Sequence, residues 1–236
     1  MQSFKRNVEV DIHDVDYNGV CRASSLLRYI QSAAQTQLTE NGMSYEKLRE
    51  SNRAFIISKI RVEFDEPVRA YEQLVAETFP CVSRGYSFYR CYALHKGGRP
   101  IARAISVWAL VDTETRRLVR VNDFDLPLPT YDAWDIELAH FKVPDTARKI
   151  GTYTVCYADL DQNRHVNNTK YADIFSNFLP LEGKRIATIS ISYVNEAKHG
   201  DVLDVYFTEE NGLCYLRTVR PDGKVNAEAE VLLTEI

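Results

Sequence analysis

What the chain lacks narrows it first. It has 236 residues, and no apolar run approaches the roughly 20 residues a membrane helix needs. The N-terminal residues Met1 to Arg6 are polar and hold no apolar signal core. The five cysteines, Cys21, Cys81, Cys91, Cys156 and Cys214, are scattered and odd in number. They form neither a CxxC pair nor a Cys/His cluster, so neither a zinc site nor a disulfide framework is expected, and no cofactor or metal is called for. A reducing, cytoplasmic setting fits this usage. The net charge is only -4, which gives no global attraction to nucleic acid or an anionic membrane.

What is present describes a folded protein. Hydrophobic residues make up 45% of the chain, with 14 Tyr and 10 Phe, enough for a sizeable core. Arg6 to Ile12 alternates apolar and polar residues, as a strand does. Ser24 and Ser25 are candidate caps for a helix carrying Leu26, Leu27, Ile30, Ala33, Ala34 and Leu38 on one side. Asn41-Gly42 ends it, and a short helix is expected over Ser44 to Ser51. The period then changes to two: Ala54 to Phe64, Glu72 to Cys81, Tyr86 to His95 and Pro100 to Val111 read as strands. Residues 122–150, with Pro127, Pro129 and Pro144, read as a long connection, because proline disrupts regular ladders.

The pattern then starts again. Tyr153 to Tyr157 reads as a strand, followed by a polar stretch and a second helix with Tyr171, Ile174, Phe175 and Phe178 at helical spacing before Pro180. Ile186 to Tyr193, Val202 to Thr208, Cys214 to Val219 and Val225 to Leu233 complete the strands. Asp14-Val-Asp16-Tyr-Asn18 aligns with Asp159-Leu-Asp161-Gln-Asn163. A repeat of this length implies duplicated domains: residues 1–121, a linker over 122–150, and residues 151–236. The expected class is α+β, each unit a long helix wrapped by a curved antiparallel sheet.

The two copies differ in chemistry. Asp161, Asn163 and His165 alternate, so in extended backbone they point one way. Opposite His165 the first copy has Val20, which moves no protons. Asp161 and Asn163 also suit a turn that bonds its own backbone, and the shared Asp/Asn pattern is partly structural on that account. Glu196, at the end of the strand Ile189 to Tyr193, is the candidate second group. Its counterpart is Pro67, or Glu66 if the alignment slips by one, and a bulge near Asn195 would re-aim it.

The run Asp161-Gln-Asn163-Arg-His165-Val-Asn-Asn168-Thr-Lys-Tyr171, with Tyr193-Val-Asn-Glu196, the Trp108-Ala-Leu-Val-Asp112 region and Arg116-Arg117, resembles the acyl-ACP thioesterase family. The resemblance covers nearly the whole chain and implies a tandem double hotdog fold. It implies hydrolysis of the thioester between a fatty acyl chain and acyl carrier protein, with the first unit binding the acyl chain. By position, the family's catalytic residues fall on Asp161, Asn163, His165 and Glu196. Many plant members carry a cysteine just after that glutamate; here Ala197 excludes a covalent cysteine at that place.

In the expected mechanism Glu196 is a general base on water, Asn163 and His165 orient the water or carbonyl, and Asp161 holds His165 or its loop. Whether His165 or Glu196 is the base stays open. Helix-start amides at Val166 to Asn168 are expected to receive the oxyanion. Candidate carrier-protein contacts are Arg116, Arg117 and Arg120, or Lys142, Arg148 and Lys149. An acyl-CoA thioesterase, a non-catalytic acyl-binding protein and a dehydratase on the same fold are the competing readings. A monomer would suffice, since the duplication supplies the pairing of units, and a homodimer stays open.

Overall fold

The computed structural model describes residues 3–138 and 140–236. Five strands and two helices come first: β1 (Phe4–Glu9), α1 (Ala23–Glu40), α2 (Tyr45–Glu50), β2 (Arg53–Phe64), β3 (Gln73–Pro80), β4 (Phe88–Lys96) and β5 (Arg99–Asp112). The short β6 (Leu118–Val119) pairs with β5. Then follow β7 (Arg148–Thr154), α3 (Lys170–Ser176), β8 (Lys184–Tyr193), β9 (Val202–Glu210), β10 (Leu213–Val219) and β11 (Val225–Glu235).

The strands run β1-β3-β4-β5-β2-β8-β11-β10-β9-β7, all antiparallel neighbours in one sheet. Read from its outer edge inward, the first half has the order β1-β3-β4-β5-β2 and the second β7-β9-β10-β11-β8. These are the same order, so each half is one copy of a single topology. They meet along β2 and β8, where Ile60 faces Ile191 and Val62 faces Ile189. All four are buried, so apolar burial on the inner face adds to the ladder at the seam. The expected α+β pair of sheet-wrapped helices is present.

The helices depart from expectation. α1 starts at Ala23 with Arg22 at its N-cap and no side-chain cap. Ser24 and Ser25 lie inside the first turn and bond sideways, Ser24 to Asp173 of α3 and Ser25 to Asp14. α1 has 18 residues and α3 only 7, so the second unit lacks the expected long helix. The cause is at both ends. Asn167 accepts bonds from the Thr169 amide and hydroxyl, which holds that segment in a turn. Pro180 then disfavours helical backbone at Leu179.

The connection between the halves is packed down. Tyr131 and Trp134 lie edge-on to Phe79 over a small cluster of Phe79, Cys81, Cys91, Ile105 and Ile136 on the outer face of the first unit. Arg217 of β10 donates to the Val143 carbonyl. β7 begins at Arg148, inside the expected linker. Among the described residues no helix is long and apolar enough to cross a membrane.

Gly151 in β7 lies under Phe178: a Cβ there would sit 2.9 Å from the ring's Cε1. Gly151→Ala should therefore lower stability by about 1 kcal/mol, the low end for overpacking because Phe178 is only partly buried and can move. Thermal melts of Gly151→Ala alone and with Phe178→Leu check this; the second change should recover most of the loss.

Candidate active site

The polar loop between β7 and α3 is built on Asp161. Its carboxylate accepts from the Asn163 amide at 2.8 Å and the His165 amide at 3.4 Å. The Asp161 amide donates to the His165 carbonyl and the Arg164 amide to the Asp161 carbonyl. The turn requires positive φ at Arg164, 65°, a conformation that L-residues other than Asn and Asp adopt at some cost. The first half contains the same turn. Asp16 accepts from the Asn18 and Val20 amides, and the glycine permitted there, Gly19, has φ 71°. The Asp/Asn pair is thus a fold device in both copies. Asp161 holds the loop through backbone amides; no bond joins it to the imidazole.

A second set of bonds brings Glu196 to this loop. The β8–β11 ladder reaches Tyr193 opposite Ala227. Beyond it, the Val194 and Asn195 amides both donate to the Asn226 carbonyl, at 2.9 and 3.0 Å. Two donors on one acceptor are the mark of a bulge, and the strand bends there. The Val166 amide then donates to the Ala197 carbonyl at 3.0 Å. The Cys21 amide donates to Val68 in the same way at 2.7 Å, which pairs Val68 with Ala197 and hence Pro67 with Glu196.

The result is a contact between two separate pieces of chain: His165 Nε2 lies 3.1 Å from Glu196 Oε2. The imidazole side chain is 28% exposed and the carboxylate 55%, so water reaches both. Asn163 turns elsewhere. Its Nδ2 donates to Asp161 at 3.3 Å, and its Oδ1 accepts from the Tyr45 hydroxyl of α2 at 2.7 Å. All four expected residues line one cavity of about 1010 Å³. Most of its wall comes from the first unit, including Phe55, Ile57, Phe88, Tyr92 and Trp108.

The expected oxyanion amides are mostly engaged. Val166 donates to Ala197, and Asn167 donates to the Asp159 carbonyl at 2.8 Å. Only the Asn168 amide, of those three, has no partner among the described residues.

Sequence reading missed three supports. Asn226, fully buried, donates to the Asn195 carbonyl and to the Tyr171 hydroxyl, and accepts from Thr218. Alternation along β11 groups Asn226 with Glu228 and Glu230, opposite the buried Ala227, Ala229 and Val231, so its burial carried no sequence signal. Tyr193 donates to the Asn168 carbonyl at 3.0 Å. Burial pushes the Tyr171 phenol up to about 12, only partly countered by the bond from Asn226, and burial raises Tyr193 too; both stay neutral. Tyr45 carried no signal, because its role depends on α2 folding over the second unit's loop. Among the described residues no group of three His, Cys, Asp or Glu side chains is placed to hold a metal.

Comparison with known proteins gives the family and the fold. Residues 1–125 match the acyl-ACP thioesterase N-terminal domain and residues 143–235 the C-terminal domain of that family. A palmitoyl-acyl carrier protein thioesterase of Cuphea hookeriana is 22% identical over 224 residues, 85% of this chain and 53% of that protein. An oleoyl-acyl carrier protein thioesterase of Arabidopsis thaliana is 23% identical over 88% of this chain and 63% of its own length. The chain thus spans between about half and two-thirds of these chloroplastic relatives. Among solved structures, an acyl-ACP thioesterase from Bacteroides thetaiotaomicron superposes with TM-score 0.90 at 23% identity, over 98% of each chain. A 12:0-ACP thioesterase from Umbellularia californica gives 0.85 at 19% identity, over 99% of this chain and 98% of that one. At these identities the superpositions establish the double hotdog fold, and the two consecutive domain matches establish the lineage: the chain belongs to the acyl-ACP thioesterase family.

Proposed function

We propose that the protein hydrolyses the thioester joining a fatty acyl chain to acyl carrier protein, in the cytoplasm and as a monomer or homodimer. The second unit would carry the chemistry and the first would hold the acyl chain. The observation that carries this reading is the 3.1 Å approach of His165 to Glu196 at a cavity walled mainly by the first unit. A protein that merely held lipid would not need a proton-handling pair there.

Thioester hydrolysis asks for activated water and one stabilised oxyanion. In the proposed step the Glu196 carboxylate takes a proton as water oxygen bonds to the carbonyl carbon. His165, bonded to Oε2, fixes the carboxylate and leaves Oε1 for the water. The Asn168 amide, the one of the three without a partner among the described residues, would receive the oxyanion. When the tetrahedral centre collapses, the C–S bond breaks and the proton on Glu196 passes to the departing thiolate, which leaves readily because its pKa is near ~8.5. Asn163 borders the site, held by Tyr45 and Asp161, and would meet the incoming group only through the Nδ2 hydrogen that Asp161 leaves free.

Docking of an acidic carrier would use local cations. Several expected ones are already occupied: Lys142 pairs with Asp145, Lys149 with Asp204, and Arg120 lies over the Tyr86 ring. Arg116 and Arg117 are exposed and have no carboxylate partner among the described residues. They follow Thr113, which lines the cavity; Arg148 is likewise exposed and without a carboxylate partner among the described residues, so these three are the remaining candidates.

Three outcomes are expected. Glu196→Gln and His165→Ala should each lower kcat on acyl carrier protein thioesters by roughly 10²–10⁴-fold with unchanged circular dichroism; full activity in either refutes the assignment. Tyr45→Phe, which deletes one neutral hydrogen bond to Asn163, should cost only about 2–10-fold in kcat/KM. Finally, kcat/KM on the carrier-protein substrate should fall steeply between low and high salt while the matched CoA thioester changes little. Equal salt response for both would remove the charge-docking proposal.

A further inference from the structure

The wall of the large cavity contains a cation that its surroundings do not neutralise. Arg90 of β4 is 7% exposed and lines the cavity. One guanidinium nitrogen, Nη1, donates to Gln37 Oε1 at 2.7 Å and to Thr78 Oγ1 at 3.1 Å. Nε and Nη2 make no bond to any described residue. The other cavity arginines of the first unit are served: Arg28 pairs with Asp14, Arg53 with Asp112, and Arg49 lies over the Tyr45 ring. The cavity's own carboxylates, Asp161 and Glu196, stand at the catalytic end. Burial pushes the Arg90 guanidinium down, and the groups acting against this are Tyr92 and Cys81, not a carboxylate. A buried charge left this way is costly unless something of opposite character meets it.

A second observation points the same way. Gln31 of α1 lines the same cavity, and its Nε2 is buried with no hydrogen-bond partner. Donors without partners therefore stand on two elements beside the cavity. A plain hydrocarbon chain could satisfy none of them.

The strand order sets this polar patch across the sheet from the catalytic end of the cavity. Arg90 stands opposite Ser106 of β5, Ser106 opposite Ile60 of β2, and Ile60 opposite Ile191 of β8. Glu196 follows β8. Three inter-strand steps separate Arg90 from that strand, about 14 Å across the sheet. Ser106, on the intervening β5, is bonded to Tyr92 of β4 and accepts from Trp108.

We propose that Arg90 is a specificity-determining residue that receives an oxygen-bearing distal end of the acyl chain, a carboxylate or a hydroxyl, so that the preferred substrates are oxygenated acyl thioesters rather than methyl-terminated ones. This rests on the thioesterase reading of the site and names its substrate class. Arginine suits the task, since its planar fork meets a carboxylate with two parallel bonds. Failure to meet an acceptor would leave the donors unpaired, which is the strongest form of discrimination available to a binding pocket.

The test is a panel of acyl carrier protein thioesters of graded length, each length ending in methyl, hydroxyl or carboxylate. At the length that reaches Arg90, the wild-type protein should prefer an oxygenated end by at least about tenfold in kcat/KM. Arg90→Met should abolish that preference by slowing the oxygenated substrates and sparing or accelerating the methyl-terminated ones. Arg90→Lys, which keeps charge without the fork, should fall between and serves if the methionine variant does not fold. Equal or greater wild-type activity on methyl-terminated chains at every length overturns the proposal and leaves the hydrolase reading intact. Should no thioester be hydrolysed, the hydrolase reading fails, and thermal shift decides on Arg90 separately. Wild-type protein should then be stabilised more by a free dicarboxylic or hydroxy acid than by the fatty acid of equal length, and the reverse order overturns the proposal.

Discussion

The hydrogen bond from the Val166 amide to the Ala197 carbonyl ties the polar loop to the end of β8, and the site's geometry depends on it. Without that bond, His165 and Glu196 would belong to two unrelated segments. The bulge on Asn226 bends the strand so that Glu196 arrives beside the loop. Asn226 can hold this bend because it is fully buried and both polar atoms of its side chain have partners. A polar group satisfied in this way rigidifies its surroundings; half satisfied, it would weaken them.

The same bond exists in the first half, from Cys21 to Val68. Duplication therefore copied a frame, and the copies diverged at the side chains the frame presents. Val20 and Pro67 occupy the places of His165 and Glu196, and Asn18 turns its amide to the Leu181 carbonyl as a structural tie between units. In exchange the first unit keeps the longer helix, and its walls enclose most of the cavity. One copy retains reactive groups while the other retains room.

Much of this was legible in the sequence. Most strands were visible from their alternation, because a half-buried sheet forces period two; β7 was not, since it was expected at Tyr153 to Tyr157 and lies at Arg148–Thr154, mostly within the expected linker. The contrast between Val20 and His165 needed only the aligned Asp-x-Asn turns. The length of α3 was not legible, since the apolar spacing of Ile174, Phe175 and Phe178 continues after the backbone has left the helix. Nor was the choice between Pro67 and Glu66 as the counterpart of Glu196, which only the paired backbone bonds decide. Tyr45 and Arg90 escaped notice for a common reason: their meaning comes from groups distant in sequence, Asn163 for one and Gln37 with Thr78 for the other.

The central claim is that His165 and Glu196 act as one unit. A double-mutant cycle in kcat with His165→Ala and Glu196→Gln on an acyl carrier protein thioester tests this most directly. Strong non-additivity is expected, with the double variant about as slow as either single variant. Losses that simply multiply would show two independent groups and contradict it.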